Sequence, residues 1–497
     1  MYNTQLLREV FPSTTVYKDP AVTKQFKDAK IPSFLRDWIL KRKAGPDGRI
    51  KNTDELGTYI EKIIPKREDK GHLEDEARSN GETRAFLARI DIMFNSKLNY
   101  YSFEIPSLGF VHSQTIIEDY IWERIKDELI GESGGWGIVK IGYLPPEANK
   151  KNGKFTLLDY KNFCPYTVCL ESYKKARKNF NTNEWMDILL GAIDYNPNGY
   201  EYAEINGHKL SPDEIWEAKH TMLTRLLPFI QPRVNIIELA PQQTGKSYIF
   251  GQVGKYGWLA GGGSLSRAKL FYDISARRFG LVAFNDFVAV DEIKSISFTD
   301  SDEMQGILKG YMENGWVNVA GVRVEGDAGI ILLGNIDIED MSPTRDMFRE
   351  LPEVFRDAAL MERFQGFVLG RKVPPLTDAM MIDDWAINTE YFTEIMHLMR
   401  TSAETLKFTA LVEKLVKTNR GADKRERDAV IHLCTAYMKL FFPHADSEML
   451  EDPKFREDFT VFCLRPAVSM RDVVLQQMKI IDPLQFGKRN MSTYKLA

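Results

Sequence analysis

Residues 234–247 read VNIIELAPQQTGKS. The first six, Val234–Leu239, are a short, largely apolar run of the kind that forms a strand buried on both faces. The next eight, Ala240, Pro241, Gln242, Gln243, Thr244, Gly245, Lys246 and Ser247, fit the frame G-x-x-x-x-G-K-[ST] with Ala240 in place of the first glycine. A strand leading into such a loop and then a helix points unpaired backbone N–H groups at an anion. Lys246 is then placed to neutralise β- and γ-phosphate charge and Ser247 to bind Mg²⁺, so the segment predicts a site for ATP and Mg²⁺.

Four residues of a TGKS turn arise by chance often enough that the rest of the chain must decide. The apolar run Phe287–Val290 ends in Asp291-Glu292, a pairing in which Asp291 is expected to hold the magnesium shell and Glu292 to orient an attacking water. A third apolar run, Gly329–Gly334, ends at Asn335, which is expected to reach the γ-phosphate or the water. Arg363, within Met361-Glu-Arg-Phe364, is the expected arginine finger, a residue that completes a neighbour's site and therefore requires a ring. Arg345, Arg349 and Arg356 crowd the same segment, and a surface ion pair is the plain alternative for Arg363. Arg427 is the expected lid arginine over the nucleotide, with Arg425 its competitor.

Outward from this centre, the pattern from Thr221 alternates strands with helices, the signature of a mainly parallel sheet. Beyond Val373-Pro-Pro the strands give way to helical spacing over Trp385–Val416 and Arg425–Phe442. Upstream, Phe86–Phe110 alternates as antiparallel strands do, Ile116–Leu129 carries a helical face and Trp136–Tyr143 reads as a strand. Met1–Lys70, charged and broken by prolines and glycines, reads as a peripheral subregion. The expected architecture is an α+β N-terminal domain over 1–205, an α/β P-loop core of the AAA+ kind over 206–375, and a helical lid and C-terminal region over 376–497.

The balance of 66 basic and 70 acidic side chains in 497 residues excludes a uniformly basic nucleic-acid binder, so any polyanion must be held by a local surface. Two such surfaces are candidates for DNA. One is the basic cluster Lys174, Lys175, Arg177 and Lys178 beside Tyr173 and Phe180, and the other is Arg323 on a hairpin centred on Ala320-Gly321. Lys150, Lys151 and Lys154, in a polar loop, are further candidate contacts. The four cysteines show no metal-ligand spacing and read as reduced core residues. The apolar runs are too short to span a bilayer and the start lacks a signal-like core, so the expectation is a cytoplasmic protein with no membrane partner.

With these residues in view, the chain resembles the BrxL family, the Lon-related AAA+ component of BREX anti-phage systems. The resemblance is carried by Arg225–Ile230, the 234–247 stretch, Gly261–Ser264, Ala268–Phe271, Phe279–Ala283, the run into Asp291-Glu292, Ile307–Glu313, Leu333–Asn335, Leu351–Glu353, Glu362–Phe364 and Arg427-Asp428. Upstream, Lys97–Asn99, Ser107–Gly109, Gly134–Trp136 and Asn183–Trp185 continue it. It implies a hexamer or stacked hexamers, ATP-dependent action on double-stranded DNA, other BREX components as partners, and a role in antiviral defence. Longer family members continue into a Lon-like peptidase domain; this sequence stops at Ala497, so peptidase activity is not expected of it. The departures at Ala240 and Gln243 bear on turnover rate, which keeps a nucleotide-gated scaffold open beside a DNA-binding ring ATPase. Tyr311 and Trp316, just before the hairpin, keep open a protein unfoldase.

Overall fold

The computed structural model describes residues 2–29, 31–95, 99–128, 134–146, 152–261, 263, 265–275, 277–298, 300–337, 340–349, 351–419 and 423–497. The chain forms two compact units, one comprising Ile50–Thr167 with Tyr272–Gly280, the other Met1–Arg49, Val168–Phe271 and Leu281–Ala497. This division does not follow boundaries at 205 and 375. The strand Thr15–Lys18 pairs antiparallel with Asp384–Ile387, which ties the first residues to the larger unit.

The smaller unit is built on strands β1 (Phe86–Asn95), β2 (Tyr100–Glu104), β3 (Thr115–Ile116), β4 (Gly134–Leu144) and β5 (Lys154–Asn162). β1 pairs with β2 and β4, β4 with β5, and β5 runs parallel to β3. A bridge between Tyr101 and Ile117, with Ile117 N–H bonded to Tyr101 O, brings β3 back to β2. The strands thus close in the order 1-2-3-5-4, with the helix Asp119–Ile125 between β3 and β4, the Greek-key connectivity of an OB-type barrel. Alternate residues of β1, Phe86, Ala88, Ile90 and Ile92, meet Phe103, Val139, Ile141 and Leu157 inside. The helical face expected from Ile116 starts later because Thr115–Ile117 are needed as the closing strand. Leu129 lies outside the described residues.

The larger unit is centred on a five-stranded sheet of β6 (Ile236–Ala240), β7 (Gly257–Ala260), β8 (Phe287–Val290), β9 (Gly329–Asn335) and β10 (Gly366–Leu369), all parallel, in the order β7-β8-β9-β6-β10. Every residue of β6 and β8 is buried, which is why their sequences are near-continuous apolar runs rather than alternating ones. Helices around the sheet carry their own start and stop signals. Ser211 and Glu214 form a capping box at Pro212–Thr224, while Asp300 caps Ser301–Asn314, which ends at Gly315 with φ 77°. The hairpin predicted around Ala320-Gly321 joins Trp316–Val319 to Val322–Glu325, and both turn residues have positive φ (49° and 81°), as a two-residue type I′ turn requires.

Two sequence expectations are corrected here. Met1–Lys70 is not peripheral throughout: Lys18, Arg36 and Asp37 are buried, and Lys18 and Arg36 pair with both Asp37 and Asp194, with Lys18 Nζ 2.8 Å and Arg36 2.5 Å from Asp194 Oδ1. Nor are the cysteines all in the core. Cys434 and Cys463 are buried, but Cys164 and Cys169 are exposed, because they fall in the segment between β5 and the helix Leu170–Arg177. No helix among the described residues is long and apolar enough to cross a membrane.

Candidate functional site

Because β6, β9 and β8 are adjacent and parallel, their C-terminal ends lie side by side, with Asn335 in register with Ala240 and Leu332 with Val290. In parallel sheets this edge is where ligands bind, at the point where strand order reverses. Here the order reverses beside β6, whose flanking strands are the fourth and fifth of the sheet in chain order. Residues that are distant in sequence meet at this edge.

Lys246 is buried, and its Nζ donates to Ala240 O (3.2 Å), Pro241 O (3.0 Å) and Asn335 Oδ1 (3.0 Å). Ser247 Oγ donates to Asp291 Oδ2 at 2.5 Å, and Asp291 Oδ1 accepts from Glu292 N–H at 2.8 Å. Five of the predicted residues therefore lie in two hydrogen-bonded sets, Lys246 with Asn335 and Ser247 with Asp291 and Glu292, joined through the adjacent positions of Lys246 and Ser247 in the chain. Burial pushes the Lys246 ammonium below its ordinary value; Glu238 and Asp291 oppose that shift and Arg225 adds to it. A cation held by neutral oxygens is short of negative charge, and a polyphosphate supplies it.

The loop's backbone explains its residues. Gln243 (φ 61°) and Gly245 (φ 79°) both take the left-handed conformation. For Gln243 this costs about 1 kcal/mol. At Gly245 a Cβ would stand 2.3 Å from Tyr195 Oη, so glycine is required for space as well as for φ. The alanine at the first loop position is accommodated by a glycine elsewhere: a Cβ on Gly370 would lie 2.0 Å from Ala240 Cβ. Glu292 is exposed with φ 50°, a conformation that turns the chain away from β8 immediately after Asp291. The helix after the loop is one α turn, Lys246–Tyr248, continued by a π turn over Ile249–Val253, a distortion that recurs at functional sites.

One support was missed in the sequence. Arg225 and Glu238 form a fully buried ion pair at 2.5 Å, and Arg225 NH1 also donates to Thr244 O at 2.7 Å, bracing the loop from beneath. The available signal was a glutamate inside an otherwise apolar buried strand, since a charge there demands a partner.

Fit to Mg²⁺ rests on the donor set. Ser247 and Asp291 offer a hydroxyl and a carboxylate, hard oxygens suited to a cation that takes few protein ligands and completes its shell with phosphate and water. Among the described residues no group of three or more His, Cys, Asp or Glu side chains could hold a metal ion.

The remaining candidates are elsewhere. Arg363 precedes β10, so it lies toward the strands' N-terminal end, away from its own chain's loop, where it bonds Lys309 O (3.0 Å) and Glu313 (3.0 Å). Arg427, half exposed, is 3.9 Å from Glu413. Its helix, Lys424–Phe441, starts where Arg425 pairs with Glu362 (2.7 Å) and Glu313 (3.2 Å), beside the residues that lead into β10. Those ion pairs hold Arg425 beside the residues that precede β10, and the structure brings neither Arg425 nor Arg427 to Lys246.

The basic cluster on Leu170–Arg177 is corrected as a surface. Lys174 is buried against Glu404 (2.7 Å) and Glu171 (2.8 Å), and Arg177 is buried while donating to Phe441 O (2.9 Å) and Phe180 O (2.5 Å). Only Lys175 and Lys178 remain exposed, because the helix turns its other face into the core through Tyr173. Lys150 and Lys151 lie outside the described residues. Arg323 is exposed on the hairpin, paired with Glu325 and stacked 4.4 Å over Trp316.

Comparison with known proteins gives two family matches. A family model described as "Lon-like protease BrxL-like, ATPase domain" matches residues 155–492, and one described as "BREX system Lon protease-like protein BrxL N-terminal" matches residues 9–143. The chain is 26% identical to a Lon-like protease BrxL of Escherichia coli O9:H4 (strain HS), covering 98% of this chain and 66% of that protein. It is also 26% identical to a Lon-like protease BrxL of Bacillus cereus (strain H3081.97), covering 97% of this chain and 67% of that protein. The chain thus spans about two thirds of the length of these relatives.

Proposed function

Since the chain belongs to the BrxL family of Lon-like ATPases, we propose that it is a ring-forming AAA+ ATPase that binds DNA and couples ATP binding and hydrolysis to translocation or assembly in BREX-type anti-phage defence. The observation that carries the ATPase part is the convergence of Lys246, Ser247, Asp291 and Asn335 at the C-terminal ends of three adjacent parallel strands.

In this reading the loop N–H groups and Lys246 bind the phosphates, and Ser247 and Asp291 hold Mg²⁺, which withdraws charge from the phosphoryl oxygens when bound. Glu292, exposed just past Asp291, accepts a proton from the attacking water, and Asn335 orients that water. Arg363, pointing away from its own chain's loop, supplies positive charge to a neighbouring subunit's site. Arg323 and the exposed Lys175 and Lys178 are the proposed phosphate contacts for DNA. The named relatives are called Lon-like proteases; proteolysis forms no part of this proposal.

A nucleotide-gated scaffold is the second reading. It is favoured by the self-satisfied loop, in which the Lys246 ammonium already bonds Ala240 O and Pro241 O and must be drawn out by the phosphates. ATP turnover measured with and without duplex DNA, beside Glu292→Gln, separates the two. DNA-stimulated turnover lost in the variant supports the ring ATPase. ATP binding with negligible turnover under both conditions supports the scaffold, and stimulation by unfolded protein alone would favour an unfoldase.

A further inference from the structure

The helix that follows the phosphate loop is short for its task. Lys246–Tyr248 is a single α turn, and the π turn over Ile249–Val253 changes its hydrogen-bond pattern, so little of its orientation comes from the helix itself. The same turn carries Lys246 Nζ to Asn335 and Ser247 Oγ to Asp291. Its third residue is tied from outside: Tyr248 Oη donates to Asp194 Oδ2 and is 2.9 Å from Ser33 Oγ.

Asp194 is an uncommon residue for its place. It follows the C-terminal end of the helix Thr182–Ala192 with φ 75°, a position that glycine takes most readily. A glycine there would relax the backbone, so the carboxylate stands against local preference and its use lies in its contacts. Oδ1 accepts from Lys18 Nζ at 2.8 Å and Arg36 NH2 at 2.5 Å, and Oδ2 from Arg36 NH1 at 3.1 Å and from Tyr248 Oη. The two-point fork with Arg36 fixes the plane of the carboxylate and leaves a defined direction for Tyr248. Lys18 and Arg36 are themselves paired with Asp37, whose Oδ2 accepts from Thr389 N–H at 2.9 Å. Burial works to raise the Asp194 pKa, but Arg36 and Lys18 outweigh it and hold the carboxyl well below its ordinary range, so it stays an acceptor. Buried ion pairs of this kind add little net stability over apolar packing; what this set supplies is direction. The next residue, Tyr195, has its hydroxyl against Gly245, so Asp194 and Tyr195 together back both ends of the Gly245–Tyr248 segment.

We propose that Asp194 is a positioning residue for the ATP site: through Tyr248 it orients the turn that presents Ser247, so that Lys18 and Arg36, from the first forty residues, take part in setting a Mg²⁺ ligand. The inference rests on the reading of residues 240–247 as the phosphate site and of Ser247 as a ligand to Mg²⁺.

Calorimetric titration of the full chain with ATP, in Mg²⁺ and in EDTA, tests this without depending on turnover. Asp194→Asn would leave Lys18 and Arg36 short of a buried counter-charge and endanger the fold, so the tie is cut at its other end. Tyr248→Phe keeps the ring and all four charges. It is expected to reduce the gain in ATP affinity that Mg²⁺ brings by about 5- to 10-fold, while metal-free ATP binding shifts less than about 2-fold. Ser33→Ala, which removes only the uncharged partner of the same hydroxyl, is expected to keep that gain within about 2-fold of wild type. An unaltered Mg²⁺ gain in Tyr248→Phe would overturn the proposal. So would equal weakening with and without Mg²⁺, the mark of a loop loosened as a whole, or a full loss of the gain in Ser33→Ala, which would assign the hold to Ser33. Wild-type affinity indifferent to Mg²⁺ would overturn it as well. Lys246→Ala reports the phosphate site itself. If ATP binding in EDTA does not depend on Lys246, the phosphate-site reading fails and this inference with it; if it does, the outcomes above bear on this inference alone.

Discussion

Ser247 Oγ stands 2.5 Å from Asp291 Oδ2, joining the start of the post-loop helix to the end of β8. If that pair forms a Mg²⁺ site, Asp291→Asn should cut ATP turnover at least about 100-fold while metal-free ADP binding changes less than about 3-fold. Calorimetry with and without Mg²⁺ reads both quantities. Equal loss of the two kinds of binding would show that Asp291 only holds the loop in place.

Gly370 and Ala240 share one space. Gly370→Ala should destabilise the protein by about 2–3 kcal/mol through overpacking, seen as a lowered midpoint in urea unfolding. Adding Ala240→Gly should restore part of the loss. Restoration stays partial because the new methyl also meets Ala240 Cα at 2.7 Å and Leu239 O at 3.0 Å.

Arg363 gives a test of the ring. Arg363→Ala should lower turnover by about 10³-fold with ATP affinity retained, and mixing it with Glu292→Gln subunits should recover part of the activity, since each contributes the group the other lacks. No recovery on mixing, with a lowered unfolding midpoint, would place Arg363 as a structural partner of Glu313 and the Lys309 carbonyl.

The imidazole of His220 is buried between Trp216 and Phe441, its Nε2 2.9 Å from Phe462 O, and burial pushes its pKa down to about 4. Its folded pKa is thus depressed below the unfolded value of about 6.5. Above pH 6.5 the group is neutral in both states and costs nothing; as pH falls from 6.5 toward 4 the unfolded chain takes up a proton that the folded one refuses, and stability drops by an amount on the order of 3 kcal/mol. His220→Phe should therefore reduce proton uptake on unfolding by about one across that window, measured as the slope of unfolding free energy against pH. An unchanged slope would mean that the imidazole already titrates inside the fold.

Much of the site was legible because its chemistry is local. The loop, Asp291-Glu292 and Asn335 each terminate an apolar run, and parallel pairing of those runs is enough to bring them together. Arg427 does not meet the loop of its own chain, and the sequence could not show this, because spacing shows that a helix carries an arginine, not which end of the sheet that helix reaches; the pairs of the neighbouring Arg425 with Glu362 and Glu313, from far along the chain, position the start of that helix. The Lys174 cluster failed for a related reason. A helix with basic residues at adjacent positions must turn some of them inward, and Glu404 was waiting there, 230 positions away. The barrel was half visible, as alternating strands, but its closure depends on a two-residue strand and the bridge at Ile117 beside it, too short to carry any pattern.

The pairing of Thr15–Lys18 with Asp384–Ile387 also sets a timetable. Partners in that ladder, from Lys18 with Asp384 to Thr15 with Ile387, are 366 to 372 positions apart. At the ribosome's pace of about 5–20 residues per second, the first strand emerges roughly 20–70 s before its mate. The barrel strands, complete at Asn162, are all synthesised within that interval. The nascent chain must therefore shelter an unpaired leading strand while a whole domain forms behind it, so shortening the first eighteen residues should tell on yield in the cell before it tells on the activity of whatever protein is recovered.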